Sequence, residues 1–192
     1  MKAFLFSLLL FAFASCGRVY HFAPTEQVVA DTSHIYALPY PAGKARLVVQ
    51  GYNSRFSHRG RLGLDFKMKT GSPVTAVRSG VVLYVQEGFS KGGTNRKYYG
   101  KANSVSVRHS DGTVASYGHL QHNGAEVNVG DTVQQGQVIA RSGSTGYSAL
   151  PHLHFSLWKP GTPRRTPLPA RFHTKKGVRY LRPGRWYRAV SF

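Results

Sequence analysis

Two histidines one residue apart in an apolar run, Pro151-His152-Leu153-His154-Phe155, form the segment of this chain best suited to chemistry. On a β-strand successive side chains alternate faces, so His152 and His154 share one side while Leu153 and Phe155 point to a core. Read alone, the pair fits a joint hold on one ion or substrate, and equally one surface histidine beside a hydrogen-bonded core residue. Carboxylates are scarce, with seven Asp and Glu in 192 residues. Asp111 in Ser110-Asp111-Gly112 and Asp131 in Gly130-Asp131-Thr132 read as turn residues that bond their own backbone. Asp65 differs, because it lies between Leu64 and Phe66, where burying an ionised carboxylate is costly unless a cation meets it. An arginine would meet that need, and so would a divalent metal. His58 stands upstream in a Gly-containing polar loop leading to Asp65. One His, one Asp and a second, distant His would give Zn2+ three protein ligands and leave its fourth position open to water, which is the catalytic arrangement. A structural zinc site is usually closed by four ligands, mostly cysteines, and this chain has one cysteine.

His119 ends the strand-like segment Ala115-Ser116-Tyr117-Gly118-His119-Leu120, with Tyr117 and His119 predicted on one face. On spacing alone it reads as a surface histidine at a strand end. His122, beside Asn123-Gly124, is predicted to be solvated in a hairpin turn, and His21, His34, His109 and His173 have no legible partner spacing.

The elements that must carry these side chains are strands. Short β-branched and aromatic runs broken by glycine-containing turns cover 47–51, 74–76, 80–86, 104–108, 113–119, 133, 138–142 and 154–158. No stretch beyond the N-terminal apolar run has helical periodicity. The expectation is an all-β domain with an antiparallel sheet whose open groove carries the metal. Residues 91–101, rich in glycine and lacking apolar alternation, are predicted to be a mobile loop and a wall of that groove.

His58, Asp65, Tyr117-Gly118-His119-Leu120, Ser142-Gly143-Ser144-Thr145-Gly146 and Pro151-His152-Leu153-His154-Phe155, in that order, resemble the lysostaphin-type (LytM-like) zinc endopeptidases that cut peptidoglycan. Gly71–Val82 is similar to that family's first core hairpin, and Val127–Ala140 to its second, so the resemblance covers about residues 47–158. It implies a grooved, duplicated-hybrid-motif-like sheet. It also implies His58, Asp65 and His154 as zinc ligands, with His119 and His152 as catalytic histidines beside a metal-activated water. Six residues separate His58 from Asp65, a longer spacing than the family's usual one.

The start of the chain, Met1-Lys2 and the apolar run Ala3–Ala14, is predicted to be an export signal, too short to span a membrane comfortably. Cys16 follows small residues as in a bacterial lipoprotein signal, with simple secretion as the alternative. The predicted organisation is a signal over 1–16, a lead-in over 17–46, the metallopeptidase domain over 47–160, and a basic, aromatic extension over 161–192 that packs on it. With one cysteine, the chain forms no internal disulfide.

Lys and Arg number 26 against seven acids, for a net charge of +19, and no acid follows Asp131. Ten of those bases lie between Lys159 and Arg188, interleaved with Phe172, Tyr180, Trp186 and Tyr187. Nucleic-acid binders share that composition, but no binding motif is recognisable, and the predicted export makes nucleic acid an unexpected partner. The expected partners are peptidoglycan peptides and anionic envelope polymers or a membrane surface, at a bacterial envelope location. Three readings follow: a zinc endopeptidase, a non-catalytic relative that binds wall or activates another hydrolase, and a basic nucleic-acid binder. Retention of every ligand and catalytic histidine that the resemblance implies favours the first.

Overall fold

The computed structural model describes residues 35–160 and 165–191, so the predicted export signal and Cys16 lie outside the described residues. Regular structure there is almost entirely strand. In chain order the strands are β1 (Ile35–Tyr36), β2 (Ala45–Gln50), β3 (Gly63–Lys67), β4 (Pro73–Thr75), β5 (Gly80–Gln86), β6 (Gly92–Gly93), β7 (Asn103–Arg108) and β8 (Val114–Ala125). They continue with β9 (Thr132–Val133), β10 (Val138–Ser142), β11 (Gly146–Tyr147), β12 (His152–Lys159), β13 (Thr166–Leu168), β14 (Arg171–Thr174), β15 (Gly177–Arg179) and β16 (Trp186–Arg188). Eleven of them form one sheet with the main path β16-β2-β3-β12-β8-β7-β5-β9, while β10 pairs with β4 and β8, and β13 with β12. Its strand pairs are antiparallel. The expected all-β, antiparallel class is met. Among the described residues no helix is long and apolar enough to cross a membrane.

Alternation explains which face each strand buries. On β12, Leu153, Phe155 and Leu157 are 0%, 1% and 3% exposed, so this face is core and the opposite face carries His152 and His154. On β3, Leu64 and Phe66 enter the same core and Asp65 turns away from it. Phe172 of β14 packs edge-on against Phe66 and Phe155, at 6.5 and 5.7 Å between ring centroids, and Tyr40 packs on Phe66 at 5.7 Å. Each fully buried aromatic of this kind stabilises the fold by about 2–3 kcal/mol. Residues from both flanks of the central segment therefore complete one core.

Two expectations are corrected. The turn predicted at His122-Asn123-Gly124 is the far end of a twelve-residue strand: β8 runs on to Ala125, with Asn123 at φ 50 and its amide bonded to the Glu87 carbonyl. His122 is exposed there. Residues 91–101, predicted to be a mobile loop, hold β6 and a 3-10 turn at Arg96–Tyr98. β6 lies parallel to β11, and Tyr99 stacks on Tyr147 at 4.3 Å. Glycine makes this approach possible, since a Cβ on Gly92 would stand 1.8 Å from the Ser144 carbonyl oxygen. The basic C-terminal region, undivided in the sequence reading, supplies β13 to β12 and β16 to β2.

Candidate metal centre

β3 and β12 are neighbours, and their register sets Asp65 directly across from His154. Residues paired in this way have adjacent side chains, and His154 Nδ1 lies 2.8 Å from Asp65 Oδ1. His58 comes from the loop between β2 and β3. Its Nδ1 lies 3.1 Å from the Gly51 carbonyl, which can only accept, so Nδ1 carries a proton and Nε2 faces Asp65 Oδ2 at 3.3 Å. One ligand atom from each of His58, Asp65 and His154 lies within 4.8 Å of the other two. Two imidazole nitrogens and one carboxylate oxygen are the donors of a catalytic zinc site, and they fit such an ion.

Glycine makes room for them. A Cβ on Gly63 would lie 2.6 Å from His154 Cε1 and 3.1 Å from His58 Cε1. Burial would raise the pKa of Asp65, yet hydrogen bonds from His154 and His58, with the nearby charges of His154 and His152, hold its carboxyl well below the usual range. Burial pulls His58 the other way from Asp65, whose hydrogen bond and charge leave the His58 imidazole above its ordinary value.

Two more imidazoles close the site. His152 Nδ1 donates to the Leu150 carbonyl at 2.7 Å, with Ser148 Oγ at 3.2 Å, and its Nε2 stands 3.7 Å from Asp65 Oδ1. His119 Nδ1 donates to the Thr145 carbonyl at 2.7 Å. The His119 ring lies 4.6 Å from that of His152 and 5.9 Å from that of His154. Both histidines thus present an Nε2 lone pair. Burial, followed by the neighbouring His152, lowers the His119 pKa to about 4, so its ring is neutral near pH 7.

His119 does not share a face with Tyr117, as alternation predicted. Tyr117 is fully buried, and its hydroxyl accepts from the Val77 amide. The register between β7 and β8 shifts across His119, from Ser104 opposite Gly118 to Asn103 opposite Leu120. His119 is the extra residue of a β-bulge and adopts φ 59, which turns its side chain to the histidine face. Sequence reasoning also passed over Gln50, whose Nε2 donates to Asp65 Oδ2 at 2.7 Å, and the carbonyls of Gly51, Thr145 and Leu150 that fix three rings.

Residues 59–166 match the model of peptidase family M23. The chain belongs to peptidase family M23. Its match begins just past His58, which lies outside it, and contains Asp65, His119, His152 and His154. The M23 chain is 39% identical over 118 residues to glycyl-glycine endopeptidase ALE-1 of Staphylococcus capitis, covering 61% of this chain and 26% of that one. It is 44% identical over 94 residues to lysostaphin of Staphylococcus simulans, covering 48% and 17%. The chain therefore spans about a quarter or less of these curated relatives. Among solved structures, the catalytic domain of the prophage-encoded M23 protein EnpA from Enterococcus faecalis aligns over 67% of this chain and 93% of its own, with 26% identity and a TM-score of 0.50.

Proposed function

We propose that this M23 chain is a zinc-dependent endopeptidase that hydrolyses peptide bonds in peptidoglycan stems or cross-links. The observation that carries the reading is the convergence of His58, Asp65 and His154 to within 4.8 Å, with His119 and His152 beside them. When bound, zinc supplies Lewis acidity toward the scissile carbonyl and a nucleophilic water at neutral pH. His58 offers Nε2, His154 Nδ1 and Asp65 a carboxylate oxygen, and the buried Asp65 stays ionised to do so. His119 and His152 supply the acid–base groups, since the sequence has no H-E-x-x-H motif to place a glutamate beside the ligands. Their Nδ1 protons are committed to backbone carbonyls, so each meets the reacting atoms through Nε2 as a proton acceptor. The one that takes the proton of water can return it to the leaving amine, while its neighbour, also an acceptor, orients the water.

The relative ALE-1 is a glycyl-glycine endopeptidase, which supports a peptide as substrate. A lipid anchor at Cys16 and an envelope location complete the proposal, with the basic surface holding the enzyme to anionic envelope polymers. The test is metal content and hydrolysis of muropeptides of defined linkage, with and without a chelator. One zinc per chain and new amines, lost on chelation and restored by zinc, are expected. His152→Ala should keep its zinc and lose about a hundredfold or more in kcat. Wall binding without cleavage by the zinc-loaded chain would refute the enzyme reading and indicate the non-catalytic one.

A further inference from the structure

Resting on the metal reading above, we infer that Gln50 is a positioning residue for the metal carboxylate, brought opposite Asp65 by a β-bulge in β2. Val48 pairs with Phe66, but Gln50, two residues on, pairs with Asp65, one residue back. In an uninterrupted antiparallel register Val49 would face Asp65, and Gln50 would face Leu64 on the core side. The extra residue re-aims the strand end, as bulges beside functional sites do. It replaces an apolar neighbour of the carboxylate with an amide.

Chemistry fixes which way that amide points. An ionised carboxylate accepts only, so the NH2 group of Gln50 must be the end that meets Asp65 Oδ2 at 2.7 Å. Its other contacts then fall on one residue: Nε2 lies 3.0 Å from Ser57 Oγ, and Oε1 accepts from the Ser57 amide at 3.2 Å. Ser57 immediately precedes His58. The next residue of the chain, Gly51, accepts the Nδ1 proton of His58. Two successive residues at the end of β2 thus orient two of the three candidate ligands, and they span the lengthened segment between His58 and Asp65. Asp65 Oδ2 is held by an amide while its carboxylate faces His58 and His154, which limits its rotation before any ion arrives. Outer-shell partners of this kind typically change metal affinity about ten- to hundredfold when removed.

The experiment compares Gln50→Met, which keeps length and removes both polar ends, Gln50→Ala, and Ser57→Ala, which removes only the hydroxyl contact and leaves the residue 57 amide on Gln50 Oε1. Zinc affinity is read by competition with a chromophoric chelator, ligand geometry by the visible spectrum of the Co2+-substituted protein, and folding by thermal unfolding after chelation. Gln50→Met and Gln50→Ala should each lose about ten- to hundredfold in zinc affinity and shift the cobalt bands, with chelated Tm values close to the parent's. Ser57→Ala should stay within about threefold of the parent. Parent-like zinc affinity in both Gln50 variants overturns the inference. An equal loss in Ser57→Ala also overturns it, by reducing Gln50 to a loop tether. A parent chain that takes up no zinc fails the metal reading itself, before any variant is compared.

Discussion

Asp65 lies within reach of three imidazoles, at 2.8 Å from His154, 3.3 Å from His58 and 3.7 Å from His152. No arginine is needed to explain its burial, the alternative that the sequence left open. Space around this carboxylate is as tightly set as its charge. Gly63→Ala would drive a methyl group to 2.6 Å from His154 Cε1, against a ring already hydrogen-bonded to Asp65. We expect about a tenfold loss of zinc affinity with an unchanged far-UV spectrum, measured by chelator competition; parent-like affinity would mean that the ring is free to retreat. His119 gives a pH signature in the metal-free protein. Its pKa is lowered from 6.5 to about 4 in the folded state, so between those values the unfolded chain holds a proton that the folded chain lacks. The contribution of His119 to stability then rises with pH across that window and levels off above it. His119→Asn, chosen because asparagine tolerates positive φ, should show a shallower slope in denaturant titrations of the chelated protein.

At the scale of elements, the segment 144–148 is a strap that contacts both proposed acid–base histidines, through the Thr145 carbonyl and Ser148 Oγ. It is seated on β6 by backbone contacts that only glycine allows. Gly92→Ala puts a Cβ 1.8 Å from the Ser144 carbonyl oxygen, so the strap must shift. Displacing catalytic groups by about 1 Å costs roughly a hundredfold in rate, and we expect that loss in kcat with zinc content unchanged. A drop in metal content would locate the damage at the ligands instead. Strands with several alternating apolar residues were legible in the sequence: β5 and β10 span the predicted residues, and β12 buries the predicted face. The histidines and Asp65 were legible too, because few other side chains of their type compete for the same chemistry. Parity was not. Each bulge adds one residue that no alternation rule anticipates, which is why His119 was expected on the Tyr117 face and Gln50 escaped notice. The strands β13 to β16, three or four residues each, are too short to display a period at all.

For the molecule as a whole, charge and packing act over different distances. Asp111 is matched by Arg78 at 2.8 Å, Glu126 by Arg141, and Asp65 is committed to the histidines. Exposed Arg59 and Arg61 follow His58, and exposed Lys97 and Lys101 flank Tyr99, so both loops near the histidines present positive charge. Such a surface attracts anionic polymers from beyond contact range, and salt screens it. Binding to isolated sacculi should weaken several-fold from low to near-molar salt in sedimentation assays; indifference to salt would point to uncharged contacts. Packing is less forgiving than charge. Tyr36, Tyr40 and Phe172 fill the interior from outside the 59–166 segment, and His58 and Gln50 lie outside it as well. Ancestry and foldability therefore draw different borders on this chain. A fragment trimmed to the inherited segment would arrive with a hollow interior and only two of the three candidate ligands.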